Sequence, residues 1–280
     1  MSCSDYNVIV IDNASQDKTV SFIKHNYPDV ILLEQKINLG FGQANNLGIS
    51  YALKNGADYV FLLNQDAYLQ SNTIDELIKT HKQNVNYGIL SPIQLNGLGN
   101  KLDRNFSNYL KYDNNNYFHF DAISNSLSEV YEVPFVNAAG WLLPKSTLTK
   151  IGGFDPIFFH YGEDDNYCQR LRYHGLKIGV VPHVFLKHDR EYANKGINEK
   201  TMKYVEWFYK LKWADITNTN INHEIKNKIL QLKKTRFKFF LKLNLSRIKY
   251  CNQELKLIYR IIKDIKKSRD INKKTGNHYI

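Results

Sequence analysis

Three short β-branched runs alternating with helical spacing constrain this chain more than any other feature. Asn7–Ile11 (NVIVI), Val30–Leu33 and Tyr59–Leu63 (YVFLL) read as strands, with Lys18–His25 and Gly42–Lys54 as the helices between them. A β-α-β-α-β order predicts an α/β fold on a mostly parallel, doubly wound sheet. Such sheets bind ligands beyond the carboxyl ends of their strands. Asp12 ends the first run and Asn64-Gln65-Asp66 ends the third, so Asp12 and Asp66 are expected at one crevice.

The segment FFHYGEDDNYCQRLRYHG at 158–175 is the second constraint. Tyr167, Leu171 and Tyr173 recur at helical steps, which puts Glu163, Asp164 and Asp165 in or just before a first turn, where the helix dipole stabilises carboxylates. Phe158, Phe159, Tyr161 and Gly162 would aim that tip into a cleft, where a carboxylate can serve as general base. An isolated Glu-Asp-Asp is otherwise a cap with solvated charge. Gly152-Gly153-Phe154-Asp155 turns the chain into this helix, and strand-like sequence flanks it at Val133–Leu143, Ile178–Val181 and His183–Lys187. The Asn-, Ser- and Tyr-rich stretch from Leu95 to Glu132 reads as an irregular insertion on the substrate side.

Hydrophobic residues make up 43% of the chain and aromatic ones 13%, which favours a packed core over disorder. No apolar run is long enough to span a bilayer, and MSCSDYNVIVID lacks the marks of a secretory signal, so a cytoplasmic location is expected. Cys3, Cys168 and Cys251 are widely spaced, with no CxxC pair for zinc or redox work. The formal charge of +11 is uneven: residues 201–280 carry +14 and the first 200 carry −3. That asymmetry points to phosphate-bearing partners for the tail, either an anionic membrane surface or nucleic acid.

Four segments taken together resemble the inverting glycosyltransferases of family two: VIVIDNASQD at 8–17, NLGFGQANNLGI at 38–49, FLLNQDA at 61–67 and GGFDPIFFHYGEDDNYCQRLRYHG at 152–175. The resemblance implies a GT-A nucleotide-sugar-binding and catalytic domain at 1–200, followed by a basic amphipathic helical tail at 201–280. NLGFGQANN and NQDA are most similar to the branch with rhamnosyltransferases and galactofuranosyltransferases. The implied activity moves a sugar from dTDP-rhamnose or a UDP-sugar to a saccharide acceptor, lipid-linked, in bacterial surface polysaccharide such as O-antigen or capsule.

The same resemblance assigns roles. Asp12 is similar to the carboxylate that accepts from the base N3–H; Asn38, Gly40, Gly42, Asn45 and Asn46 are similar to the loop and helix start beneath the nucleotide. Asn64-Gln65-Asp66 resembles a DxD motif with Asn in first place, which leaves Gln65 and Asp66 toward the donor and Asp66 as the carboxylate ligand for Mg²⁺ or Mn²⁺. His188 resembles the histidine that completes the metal shell. Asp164 is implied as the general base, with Glu163, Asp165, Asn137 and Trp141 on the acceptor side. Arg170 is open between pairing with this cluster, with phosphate, or in a structural ion pair.

Family members begin with a strand and helix that are missing before Asn7, and that strand lies inside the sheet. A gap there would leave unpaired backbone groups at about 1–3 kcal/mol each, which keeps a non-catalytic remnant or partner subunit as a competing reading. A nucleic-acid-binding protein is the third reading, but no helix-turn-helix or RNA-binding signature accompanies the basic tail. In that tail Leu255, Leu257, Ile258, Ile261, Ile262 and Ile265 form an apolar stripe with Lys and Arg elsewhere. The stripe fits either the inner face of the cytoplasmic membrane or a helix packed on the catalytic domain.

Overall fold

A computed structural model describes residues 6–190 and 201–280, so Cys3 lies outside the described residues. The chain forms two compact units, one of residues 1–192 with 275–280 and one of residues 193–274. The last six residues thus pack with the first unit rather than with the basic tail.

In the first unit β1 (Ile9–Asp12) and β2 (Ile31–Glu34) pair in parallel, joined through α1 (Thr19–Asn26). The helix α2 (Phe41–Lys54) follows and leads to β3 (Tyr59–Leu63). β3 joins a second, mixed sheet with β4 (Ala67–Leu69), β5 (Tyr87–Asn96), β6 (Tyr131–Glu132), β7 (Gly140–Pro144) and β8 (Lys177–His188). The order is β3-β7-β5-β8-β4, with β6 on β8; β5 and β8 run parallel and the other pairs antiparallel. Among the described residues β1 and β3 each keep one unpaired side, although α2 packs against both.

β7 is buried throughout and β5 nearly so, as apolar strands covered on both faces must be. Helices α3 (Thr73–Gln83), α5 (Lys145–Ile151) and α6 (Glu163–Tyr173) pack on this sheet, and α4 (Asn116–Ile123) gives the insertion its own helix. Trp141, Phe154 and Tyr167 form a buried aromatic triple, with ring centroids 5.1 to 5.9 Å apart.

The turn into α6 is fixed from two directions. The Asn46 amide bridges the backbone of Phe154, accepting from its N–H at 2.7 Å and donating to its carbonyl at 2.8 Å. From the other side, the Gly153 N–H donates to the His278 carbonyl and the Gly276 N–H to the Lys150 carbonyl, each at 2.8 Å. Gly152 is left-handed at φ 75°, and a Cβ on it would collide with the backbone of His278, so only glycine fits.

The second unit is a three-helix assembly of α7 (Met202–Ala214), α8 (Ile221–Leu241) and α9 (Leu245–Asn272). Its core joins Tyr209, Trp213, Ile225 and Leu232 to the stripe of α9. Leu255, Leu257, Ile258, Ile261 and Ile265 are buried there, with Ile262 packed against them, so this stripe is the unit's own core and does not face lipid. Tyr209 stacks on Trp213 at 4.2 Å and hydrogen-bonds Glu254, which Lys228 also meets at 3.1 Å. Among the described residues no helix is long and apolar enough to cross a membrane.

Candidate active site

The tip of α6 is built on strained backbone. Tyr161 and Gly162 both take positive φ, 68° and 89°, to turn the chain into the helix, and a tyrosine in that region is uncommon. Glu163 is buried with its Oε2 unpartnered, while Asp164 and Asp165 are half-buried. The Asp165 N–H donates to Asp164 Oδ1 at 2.9 Å, and the Ala138 N–H also faces that carboxylate. Burial raises all three carboxyls, and the Asp164 charge adds to the effect on its neighbours, which brings Glu163 and Asp165 each to about 7. A cluster that releases protons near neutral pH suits acid–base work.

Asp12, at the end of β1, is buried; its Oδ2 accepts from the Ser15 N–H at 3.2 Å and its Oδ1 has no partner among the described residues. Asn13 ties this strand end to the glycine loop, donating to Asn38 Oδ1 at 3.0 Å and accepting from the Leu39 N–H at 2.8 Å. Gly40, at φ 77°, lies so close to the Phe159 carbonyl that any Cβ would collide with it. A Cβ on Gly42 would meet Phe154 and Glu163 at 2.9 and 3.5 Å. The glycine loop and the acidic tip are therefore one packed surface.

Asp66 and His188 also meet. Ala67 pairs with His188 across β4 and β8, and His188 Nε2 stands 3.4 Å from Asp66 Oδ1. His188 is buried, and burial together with the Arg190 charge lowers its pKa, which favours the neutral ring, while Asp66 and Asp103 oppose that shift. A carboxylate oxygen and an imidazole nitrogen at this spacing can share one hard cation. No group of three or more His, Cys, Asp or Glu forms a metal cluster among the described residues. Asp66 and His188 are the two residues that would hold such a cation, with any further ligands coming from outside this pair.

The insertion supplies residues that sequence reasoning missed. Asp103 is fully buried and paired with Arg190 through two hydrogen bonds, one of them Nε to Oδ2 at 2.9 Å, and it also accepts from the Asn105 and Phe106 N–H groups. Burial raises Asp103, but Arg190 and the Phe106 N–H outweigh it and hold the carboxyl below its usual range. Tyr109 is raised by burial first and then by the charge of Asp164, with Asp103 and Asp165 adding to it and Arg190 opposing. Its hydroxyl thus sits within the fields of both the acidic tip and the Asp103–Arg190 pair. Arg190 lies two residues past the end of β8 at His188, and nothing in the polar stretch around Asp103 and Tyr109 marked them.

Residues 2–150, more than half of the chain, match the model of Glycosyl transferase family 2. The chain belongs to that family. It is 26% identical over 204 residues to the low-salt glycan biosynthesis hexosyltransferase Agl10 of Haloferax volcanii, covering 71% of this chain and 64% of that protein. It is 25% identical over 223 residues to the dTDP-rhamnosyl transferase RfbF of Shigella flexneri, covering 74% and 69%. It is also 25% identical over 207 residues to the N-acetylglucosaminyl-diphospho-decaprenol L-rhamnosyltransferase of Mycobacterium tuberculosis, covering 67% of each. The chain thus spans about two thirds of the length of these relatives. A crystal structure of GalNAc-T7 with UDP, GalNAc and Mn²⁺ superposes with a TM-score of 0.53 at 14% identity, over 73% of this chain and 42% of that one, and shows the GT-A fold.

Within this family 2 fold, several expected residues take other places. Trp141 is wholly buried, stacked on Phe154 at 5.9 Å, and presents no open face to a sugar. Asn46 is spent on Phe154, and Asn45 donates to the Phe41 carbonyl of its own helix at 3.0 Å. Among the described contacts Arg170 does not pair with Glu163, Asp164 or Asp165. It is buried over Tyr167 and Tyr279 and donates to the carbonyls of Gly153 and Ile151. Gln65 is exposed in the turn beside Asp66, and Asn137 is half-buried with an unpartnered Oδ1. Asp12, Asn137, Glu163 and His188 each carry a buried polar atom without a partner among the described residues, as do residues with no assigned role such as Gln94 and Asn166.

Proposed function

We propose that this chain is an inverting glycosyltransferase that moves a sugar from a nucleoside-diphosphate donor, dTDP-rhamnose or a UDP-sugar, to a saccharide acceptor. One observation carries the reading. The turn bearing Asp66 and the carboxylate of Asp164 are fastened to the same short segment: the Asn64 N–H donates to the Ala139 carbonyl at 3.1 Å, and the Ala138 N–H faces Asp164. The group that would meet the leaving diphosphate and the group that would take the acceptor's proton are thereby held in fixed relation.

The Asp12 Oδ1 would accept from the base N3–H of the donor. An Mg²⁺ or Mn²⁺ ion held by Asp66 and His188 would supply positive charge against the diphosphate. Asp164 takes the proton of the acceptor hydroxyl as its oxygen bonds to the anomeric carbon, and the bond from that carbon to the diphosphate oxygen breaks on the opposite face. Configuration inverts, and no nucleophilic side chain is needed. Tyr109, Asn137, Glu163 and Asp165 border the acceptor side.

The rhamnosyltransferase names among the relatives favour a rhamnosyl donor, and the diphospho-decaprenol acceptor in one of those names favours a lipid-linked acceptor at the cytoplasmic face of the membrane. Surface polysaccharide synthesis, of O-antigen or capsule, would be the setting. The second reading is a non-catalytic partner or remnant of such an enzyme. Release of nucleoside diphosphate from a panel of UDP- and dTDP-sugars separates the two. Acceptor-stimulated release supports transfer, and no release from any donor supports the second reading.

A further inference from the structure

The α8–α9 hairpin carries an apolar tip that the core of its unit does not use. Phe237, Phe240 and Leu241 lie at helical steps on the last turns of α8, and Leu243 and Leu245 continue the patch across the turn; these five side chains are 62 to 83% exposed. Leu243 is held at φ 50°, a left-handed conformation that glycine or asparagine would adopt at less cost. At 83% exposure its side chain packs against little of the protein, so internal packing gives no reason for leucine there. A strained, exposed leucine between exposed phenylalanines is a feature that folding alone would not retain.

The surroundings identify what the tip fits. From Lys233 to Lys249 there are seven Lys or Arg residues and no Asp or Glu, and all seven basic side chains are exposed. An apolar protein partner would complement the tip but not this charge, and nucleic acid would complement the charge but not five exposed apolar side chains. A bilayer containing anionic lipid complements both, with acyl chains for the tip and headgroups for the collar.

We infer that the α8–α9 tip is a membrane-inserting element, with Phe237, Phe240, Leu241, Leu243 and Leu245 entering the acyl boundary and the surrounding lysines and arginines resting on anionic headgroups. This deepens the membrane placement proposed above and moves it from the stripe of α9, which is buried, to the hairpin turn. It does not depend on catalysis.

The test is cosedimentation of the full chain with phosphatidylcholine vesicles, with and without phosphatidylglycerol. The wild type is expected to bind the phosphatidylglycerol vesicles and to be released by high salt. Changing Phe237, Phe240, Leu241 and Leu243 together to serine, at sites too exposed to disturb the fold, should weaken that binding by at least about tenfold. Changing Lys263, Lys266 and Lys267 to alanine removes exposed charge from α9 away from the tip and should leave binding in place. Binding by the serine variant equal to wild type, an equal loss in the α9 variant, or no binding by the wild type would each overturn the inference. Transfer to a soluble acceptor, read on the same preparations, keeps the two proposals apart. If transfer persists while binding fails, only the hairpin inference falls; if binding persists while transfer is absent, only the enzymatic reading falls.

Discussion

His188 Nε2 faces Asp66 Oδ1 at 3.4 Å because β4 and β8 run antiparallel with Ala67 opposite His188. Strand pairing, rather than a flexible loop, sets the spacing of the two proposed metal ligands. EDTA is therefore expected to suppress transfer, and added Mg²⁺ or Mn²⁺ to restore it. His188→Ala and Asp66→Asn should each raise the metal concentration for half-activation by at least about tenfold. Undiminished transfer by the wild type in chelator would remove both residues from the ligand set.

Asp12 and Asn46 are predicted to separate under mutation. A hydrogen bond to a charged group contributes about 1.5–3 kcal/mol, so Asp12→Asn should raise the donor KM about tenfold to a hundredfold with stability little changed. Asn46→Ala leaves the buried N–H and carbonyl of Phe154 without partners, at about 1–3 kcal/mol each. It should lower the urea midpoint while the donor KM of the folded protein stays near wild type. Paired steady-state kinetics and urea melts on both variants check this.

The acidic tip predicts two pH effects of definite sign. Burial and mutual repulsion raise Glu163 and Asp165 to about 7 from ordinary values of 4.5 and 3.8, so the native state holds more protons than the unfolded one between those limits. Their stabilising contribution is full at acid pH and lost as pH rises through about 7, and Glu163→Gln should flatten that decline in a pH series of thermal melts. Activity should run the other way, rising through neutral pH as the cluster ionises. Asp165→Asn removes a neighbouring negative charge and should move the rising limb of kcat/KM to lower pH. A limb that stayed in place would mean that the cluster does not govern the profile.

The strand-helix rhythm made β1, β2 and β3 legible as strands, because they are local runs punctuated by Asp and Asn, but not that β3 leaves the parallel β1-β2 pair to join antiparallel β7 in a mixed sheet. The first-turn position of Glu163, Asp164 and Asp165 followed equally from helical spacing within one segment. What local sequence could not disclose was which side chains the tertiary fold consumes. Asn46 reads the same whether it meets a nucleotide or the backbone of Phe154, and Trp141 reads the same on a sugar or inside an aromatic core. The α9 stripe was visible, but whether it faces lipid or a neighbouring helix depends on α7 and α8. Tyr109 and Asp103 lie in a polar insertion without periodicity, and their place beside Asp164 and Arg190 comes from contacts far apart in the chain.

Asp164 is the residue on which the account turns, and the most direct test is the turnover of Asp164→Asn with Glu163 and Asp165 intact. Donor affinity should be measured by calorimetry on the same preparation. A general base contributes about 10²–10⁴-fold, so transfer should fall by that factor while the donor dissociation constant and the fold are unchanged. Near-wild-type turnover by Asp164→Asn would contradict the mechanism.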